Sequence, residues 1–367
     1  MTVIALLLFL TNLGTVLLPL PLPWWGKSLL AALCLVLSFK FPLFRWLGGP
    51  MPFAPHLPPW LILLGGWLFA IALFLALGGL LLSPFQLFLP KARGFLSLGL
   101  FLISLLAATV GLFWGQRAPR VREFTLSFSG LPEEAEGLTI ALLTDLHADG
   151  VIAAREIGQM VDLANARHPD LILLGGDLMD GTVEERLADL APLGRLHAPL
   201  GVWAVPGNHE YYSGFAAWRE ALSSLGVPFL VNEHRMLLPS FALAGIADPA
   251  SVRHGETPPL LSEALEGLPP DTFVLLGAHN PNLALEAAKQ RVPLVLSGHT
   301  HGGMVWGLDW LVARKNNGLL SGFYALPPET QLLVSNGAGI WNGFPLRLGH
   351  PSEILLITLT RSPTGQF

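Results

Sequence analysis

Two hydrophobic patterns divide the chain. Over the first third, apolar residues run almost unbroken from Val3 to Leu22, Ser28 to Phe44, Trp60 to Leu82 and Phe95 to Trp114. Each run is close to the ~20 residues a helix needs to cross a bilayer. Four membrane helices are expected, the second interrupted near its end by Lys40 and Pro42. A cleaved leader competes for the first run, but no basic segment precedes it and three further apolar runs follow.

From Leu138 the runs shorten to strand length. Leu138 to Thr144, Asp170 to Leu174, Gly201 to Val205, Phe273 to Leu276 and Pro293 to Leu296 read as buried strands, and Ala153 to Arg167 has helical spacing. Arg235 to Gly245, Gln331 to Asn336 and Glu353 to Thr360 read as further strands, with no clear helix between the last two. Fully apolar strands alternating with helices imply sheets covered by helices, here two packed sheets in an α/β fold. The expected domains are a transmembrane anchor over 1–115, a linker over 116–137 and a catalytic domain over 138–367.

Charge sharpens the division. Of 367 residues 52% are hydrophobic and 13% charged, yet all 26 acidic residues lie from Glu123 onward. Before that point stand eight basic residues: Lys27, Lys40, Arg45, Lys91, Arg93, Arg117, Arg120 and Arg122. The remaining 13 basic residues leave the second part at −13, which argues against a nucleic-acid partner. With four spans, five of the eight fall on the side of the large domain, so a multi-pass cell-membrane protein with a cytoplasmic catalytic domain is expected. The single cysteine, Cys34, lies in an apolar run, and redox chemistry gives no compartment.

The strands end in chemistry. Asp145-Leu146-His147, Gly176-Asp177, Gly207-Asn208-His209-Glu210, His279 and Gly298-His299-Thr300-His301 follow one another in that order, most directly after an apolar run. Carboxylate, imidazole and amide oxygen are ligands that Mn²⁺, Fe or Zn²⁺ accept. Strand carboxyl ends are where open α/β folds build sites. Two divalent metal ions are therefore expected. The other histidines, His56, His168, His197, His234, His254 and His350, read as surface or loop residues.

This ordered series is similar to the calcineurin-like metallophosphoesterase superfamily over about Leu138 to Leu359. Within it, Gly298-His299-Thr300-His301-Gly302-Gly303, Gly245-Ile246-Ala247-Asp248-Pro249, Pro345-Leu346-Arg347 and Pro351-Ser352-Glu353 resemble bacterial membrane-associated phosphodiesterases. The resemblance implies a two-sheet αββα sandwich. It also implies that Asp145, His147 and His301 hold one metal, that Asn208, His279 and His299 hold the other, and that Asp177 bridges them. Attack by a metal-bridging hydroxide on a phosphodiester, pyrophosphate or phosphomonoester follows. His209 would face the leaving group, and Asp180, the second acid of Gly-Asp-x-x-Asp, would orient its ring. A cap or turn role is the other reading of Asp180. Asp248 reads as structural and Glu210 as a supporting or turn residue. Met304 stands where relatives carry glutamine.

Between Gly302 and Tyr324 lie Trp306, Leu308, Trp310, Leu311, Leu319, Leu320, Phe323 and Tyr324 with Arg314 and Lys315. They suit either a membrane-interface rim, extended by Trp341 and Phe344, or a hydrophobic lid over the core. The first makes the substrate a lipid-linked phosphate, as in enzymes that cleave UDP-diacylglucosamine. Two readings of other classes remain: a binding or sensing module, whose mark would be lost ligands, and a transport unit, whose mark would be intramembrane charge.

Overall fold

The computed structural model describes residues 2–48, 51 and 54–362 and divides into two compact units. The first comprises residues 2–116 together with Asn342–Leu348, a segment that comes from late in the chain. Its helices are α1 (Thr2–Asn12, continued by a wider turn to Leu17), α2 (Trp24–Ser38), α3 (Lys40–Trp46), α4 (Pro59–Phe88) and α5 (Arg93–Gly115). Among the described residues, α4 and the stretch Pro90–Gly115 are long and apolar enough to cross a bilayer. The pair α2 and α3, bent by 66°, is a third candidate. Thr2–Leu17 is apolar but shorter than the ~20 residues of a full span. By that measure the helices fall short of the four expected.

Small residues let these helices approach, as is usual where lipid offers no hydrophobic drive. Ala70 of α4 and Ala108 of α5 are completely buried against Leu346. Phe344 packs edge-on to Phe69 within the helical unit. The Arg347 amide donates to the Gly111 carbonyl at 2.9 Å. Lys40 is buried among the rings of Phe41, Phe44 and Phe69, and its Nζ donates to the Gly343 carbonyl at 2.9 Å.

Among the described residues the second unit carries eleven strands. The first sheet runs β1-β11-β2-β3-β4, where β1 is Arg120–Phe128, β2 Thr139–Leu143, β3 Leu171–Leu174, β4 Val202–Ala204 and β11 Glu353–Arg361. The second runs β5-β6-β7-β8-β10-β9, with β5 Glu233–Leu238, β6 Phe241–Gly245, β7 Phe273–Gly277, β8 Leu294–Ser297, β9 Gly322–Leu326 and β10 Thr330–Val334. Helices α6 (Ala154–Asn165), α7 (Val183–Leu190), α8 (Asn208–Tyr212), α9 (Phe215–Ser224), α10 (Leu261–Leu265), α11 (Ala284–Lys289) and α12 (Asp309–Lys315) complete it. These strands need no polar face: β2, β3, β7 and β8 are buried along nearly their whole length. Between the sheets, Leu142, Leu173, Leu243, Leu275 and Leu355 form one core.

Two expected elements differ. Residues 120–128, within the segment read as linker, form β1, which pairs in parallel with β11 over nine positions. Pro119 and the arginines mask an alternation of Phe124, Leu126 and Phe128 that becomes meaningful only beside a partner more than 200 residues away. Arg235 to Gly245 is an antiparallel pair, β5 and β6, broken by the turn at Pro239-Ser240.

Candidate active site

Each of the parallel central strands delivers site residues just past its carboxyl end. Asp145 and His147 follow β2, Asp177 and Asp180 follow β3, Asn208 and His209 follow β4, His279 follows β7, and His299 and His301 follow β8. Asp145, His147, Asp177, His299 and His301 all adopt left-handed backbone, with φ between 49° and 73°. For a residue with a Cβ such a conformation costs of order 1–3 kcal/mol, and it persists only where surrounding bonds impose it. Here the Asp145 amide donates to the Gly176 carbonyl at 2.8 Å, the His147 amide to the Asp177 carbonyl at 3.1 Å, and the Gly298 amide to the His279 carbonyl at 3.0 Å. These bonds aim five side chains at one point.

Three groups of ligand atoms converge there. Asp145, His147 and His301 lie within 4.8 Å of one another, as do Asp177, His279 and His299, and so do His147, Asp177 and His209. The Asp177 carboxylate is shared between groups, with Oδ2 3.2 Å from His279 Nε2 and 3.9 Å from His147 Nε2. His279 Nδ1 donates to the Gly175 carbonyl at 2.8 Å, which turns Nε2 inward to the Asp177 carboxylate. The buried Oδ1 of Asn208 makes no hydrogen bond. A buried acceptor left without a donor, beside clustered carboxylates and imidazoles, fits a pair of divalent cations.

Asp180 holds two rings. Oδ2 lies 3.0 Å from His147 Nδ1, and Oδ1 binds His209 Nδ1 in a very short contact. Burial pushes the Asp180 carboxyl up, but His209 and His147 outweigh it and hold it at about 2. Burial disfavours protonated His209, but Asp180 and then Asp177 overcome that and push the ring up to about 9. The two shifts agree in describing an ion pair. Burial, then the charge of His279, holds His299 down at about 4. Asp177 falls well below the ordinary carboxylate range because His279 and His209 outweigh its burial, and His279 rises well above its own for the reciprocal reason.

Glu210 does more than the sequence reading gave it. Its carboxylate accepts from the amides of Asp177 at 2.9 Å, Leu178 at 2.7 Å and Gly207 at 2.6 Å, so one buried side chain ties the loop after β3 to the loop after β4. Burial, then the charge of Asp177, pushes it up to about 7. The available signal was its place three residues after Gly207, where an acid bonds back to the start of a helix. A Cβ on Gly207 would collide with the Asp177 carboxylate, so the backbone must come this close. Asp248 caps the turn Pro249–His254, its Oδ1 accepting from the Ala250 amide at 2.8 Å. Met304 is partly buried and packs against the core, and its side chain offers only a thioether.

The aromatic segment divides between solvent and core, with Leu319 and Tyr324 packed on the core. Trp306 is 77% exposed, Trp310 55%, Leu311 48% and Phe323 47%. Leu319 turns inward, and Thr300 Oγ1 ties the segment to the site by donating to the Leu320 carbonyl at 2.6 Å. Of the six remaining histidines, His56, His168, His197 and His254 are exposed, while His234 bonds the Ala264 carbonyl and His350 pairs with Asp309.

A two-sheet α/β domain with His and Asp clusters at its strand ends, taken with the family match and relatives that follow, marks a metal-dependent phosphoester hydrolase. Residues 138–303 match the calcineurin-like phosphoesterase model. An uncharacterized metallophosphoesterase of Helicobacter pylori is 34% identical over 73% of this chain and 71% of its own. A transmembrane protein with metallophosphoesterase domain from Danio rerio is 32% identical over 71% of this chain and 62% of its own. A metallophosphoesterase of Aquifex aeolicus is 31% identical over 65% of this chain and 91% of its own. The chain belongs to the metallophosphoesterase family. Calcineurin-like phosphoesterases use a dinuclear metal centre, and the His and Asp clusters here are suited to metal. Apolar helices and relatives of transmembrane type indicate membrane association.

Proposed function

We propose that this chain is a membrane-anchored phosphoesterase that uses two divalent cations to hydrolyse a lipid-linked phosphodiester, pyrophosphate or phosphomonoester. Asp145, His147 and His301 would hold one cation, Asn208, His279 and His299 the other, and Asp177 would serve both. When bound, such cations polarise a phosphoryl oxygen and lower the pKa of water toward about 7, supplying a nucleophile at neutral pH. Asn208 contributes an oxygen without charge, which keeps the centre attractive to an anion. His209 donates a proton to the leaving oxygen, and Asp180 is the positioning residue that fixes both His209 and His147. Dications disfavour the His209 proton, whereas Asp180 and Asp177 favour it.

The lipid assignment rests on the exposure of Trp306, Trp310, Leu311 and Phe323 beside the basic Arg314 and Lys315. Exposed indole and aliphatic groups next to cations suit a lipid–water interface. The balance of basic residues around the apolar runs, counted for four spans, supports a cytoplasmic catalytic domain. The test uses purified full-length protein with bound metal quantified, assayed on bis-p-nitrophenyl phosphate, a phospholipid and a nucleotide-linked lipid. Replacing Trp306 and Trp310 with serine should lower turnover of the lipid substrate about tenfold and spare the soluble one. Equal loss on both, or loss on neither, would exclude the interface.

A further inference from the structure

A cavity of about 340 Å³ opens beside His299, the one expected ligand it shares with the metal centre. Its other walls include Asn280 and Asn282 after β7, and Leu311, Lys315 and Asn316 on and just after α12. The wall is braced by its own amides. Asn282 Nδ2 donates to Asn316 Oδ1 at 3.1 Å, Asn317 Nδ2 to Asn282 Oδ1 at 2.7 Å, and Asn316 Nδ2 to the Val312 carbonyl at 3.0 Å. Asn280 Oδ1 is occupied as well, accepting from the Asn282 amide at 3.0 Å.

These bonds use up the amide oxygens and leave donors for a ligand, the Asn280 NH₂ and the Lys315 ammonium. Among the described residues, Lys315 has neither an ion-pair nor a hydrogen-bond partner. Donors without acceptors, next to a centre that processes phosphate, select a second anion.

We propose that this cavity is a second phosphate subsite. With one phosphate at the metal centre, Lys315 and Asn280 bind the neighbouring, non-reacting phosphate of the same molecule, so that pyrophosphate-linked substrates are favoured over those with one phosphate. The proposal rests on the phosphoesterase reading and narrows its substrate class.

Adenosine monophosphate and diphosphate differ by one phosphate and serve as probes, each as a competitive inhibitor of bis-p-nitrophenyl phosphate hydrolysis by the full-length enzyme in excess Mn²⁺. The diphosphate should inhibit about tenfold more tightly than the monophosphate, as one charge-assisted hydrogen bond allows. Lys315→Gln should bring that ratio close to one, and Lys315→Arg should restore most of it. A wild-type ratio near one, or a ratio that Lys315→Gln leaves intact, overturns the subsite while the phosphoesterase reading stands. A metal-loaded wild type without any phosphoester turnover would overturn both.

Discussion

His147 and His301 bring their Nε2 atoms to 3.0 Å of each other, with rings stacked at an interplanar angle of 24°. The proton of His147 is drawn to Nδ1 by Asp180, 3.0 Å away, so its Nε2 presents a lone pair toward His301 and toward Asp145, whose Oδ1 is 3.4 Å from His301 Nε2. A cation is what such a meeting of donors accommodates. His301→Ala should therefore reduce bound metal from two ions toward one per chain, as measured by elemental analysis, and should reduce turnover at least 100-fold.

Asp177 lies between the two groups, and its loss should be more severe. Asp177→Asn removes the charge that both His147 and His279 face, so turnover should fall to background and metal content toward zero. A variant that kept both ions would deny the bridging role. Thermal unfolding gives an independent reading: Mn²⁺ at 100 times its dissociation constant should stabilise the wild type by about 2.7 kcal/mol and leave Asp177→Asn unmoved.

The Asp180–His209 pair sets a pH window. His209 is raised to about 9 in the folded protein, so its share of stability is complete below the unfolded value near 6.5 and disappears as pH rises through about 9. Asp180 is depressed to about 2, so its share is complete above about 4 and is lost as pH falls through 2. The two shifts describe one interaction, worth on the order of 2 to 3 kcal/mol when counted once. The metal-free wild type should lose stability between pH 7 and 10, whereas Asp180→Asn should show little change there. Activity of Asp180→Asn should drop about 10- to 100-fold with substrate binding kept, as expected when a supporting partner of a ligand is lost. His209→Ala should slow poor leaving groups more than p-nitrophenolate while both metals remain; an unchanged rate on a poor leaving group would remove His209 from catalysis.

Glu210→Ala should act through stability before activity. It leaves three buried amides, those of Asp177, Leu178 and Gly207, without their acceptor, at about 1–3 kcal/mol each. A drop in melting temperature accompanied by weaker metal binding is expected, with Glu210→Gln intermediate because its amide oxygen still accepts.

The acid-free first third, the five apolar runs that end in Asp or His, and the order of the ligand motifs are legible because each is local. A strand's burial and the residue at its end are written within a few positions of one another. Asp180 was visible as an acid three residues after Asp177, and the resemblance implied its hold on His209, but its hold on His147 was not visible, since that residue lies 33 positions away in the opposite direction. The strand Arg120–Phe128 was hidden for the same reason: its partner begins at Glu353, and pairing energy belongs to the pair.

By itself, then, the sequence determined which residue types are available for metal and phosphate chemistry, which segments are apolar enough for a membrane, and in what order they come. Tertiary structure alone decided that Glu210 ties two loops together, that Asn342–Leu348 packs with the helices, and that Trp306 and Trp310 face outward. It also decided that Lys315 lines a cavity at His299. All four depend on which surfaces meet after folding, and no spacing along the chain encodes a meeting between segments whose separation is set by packing.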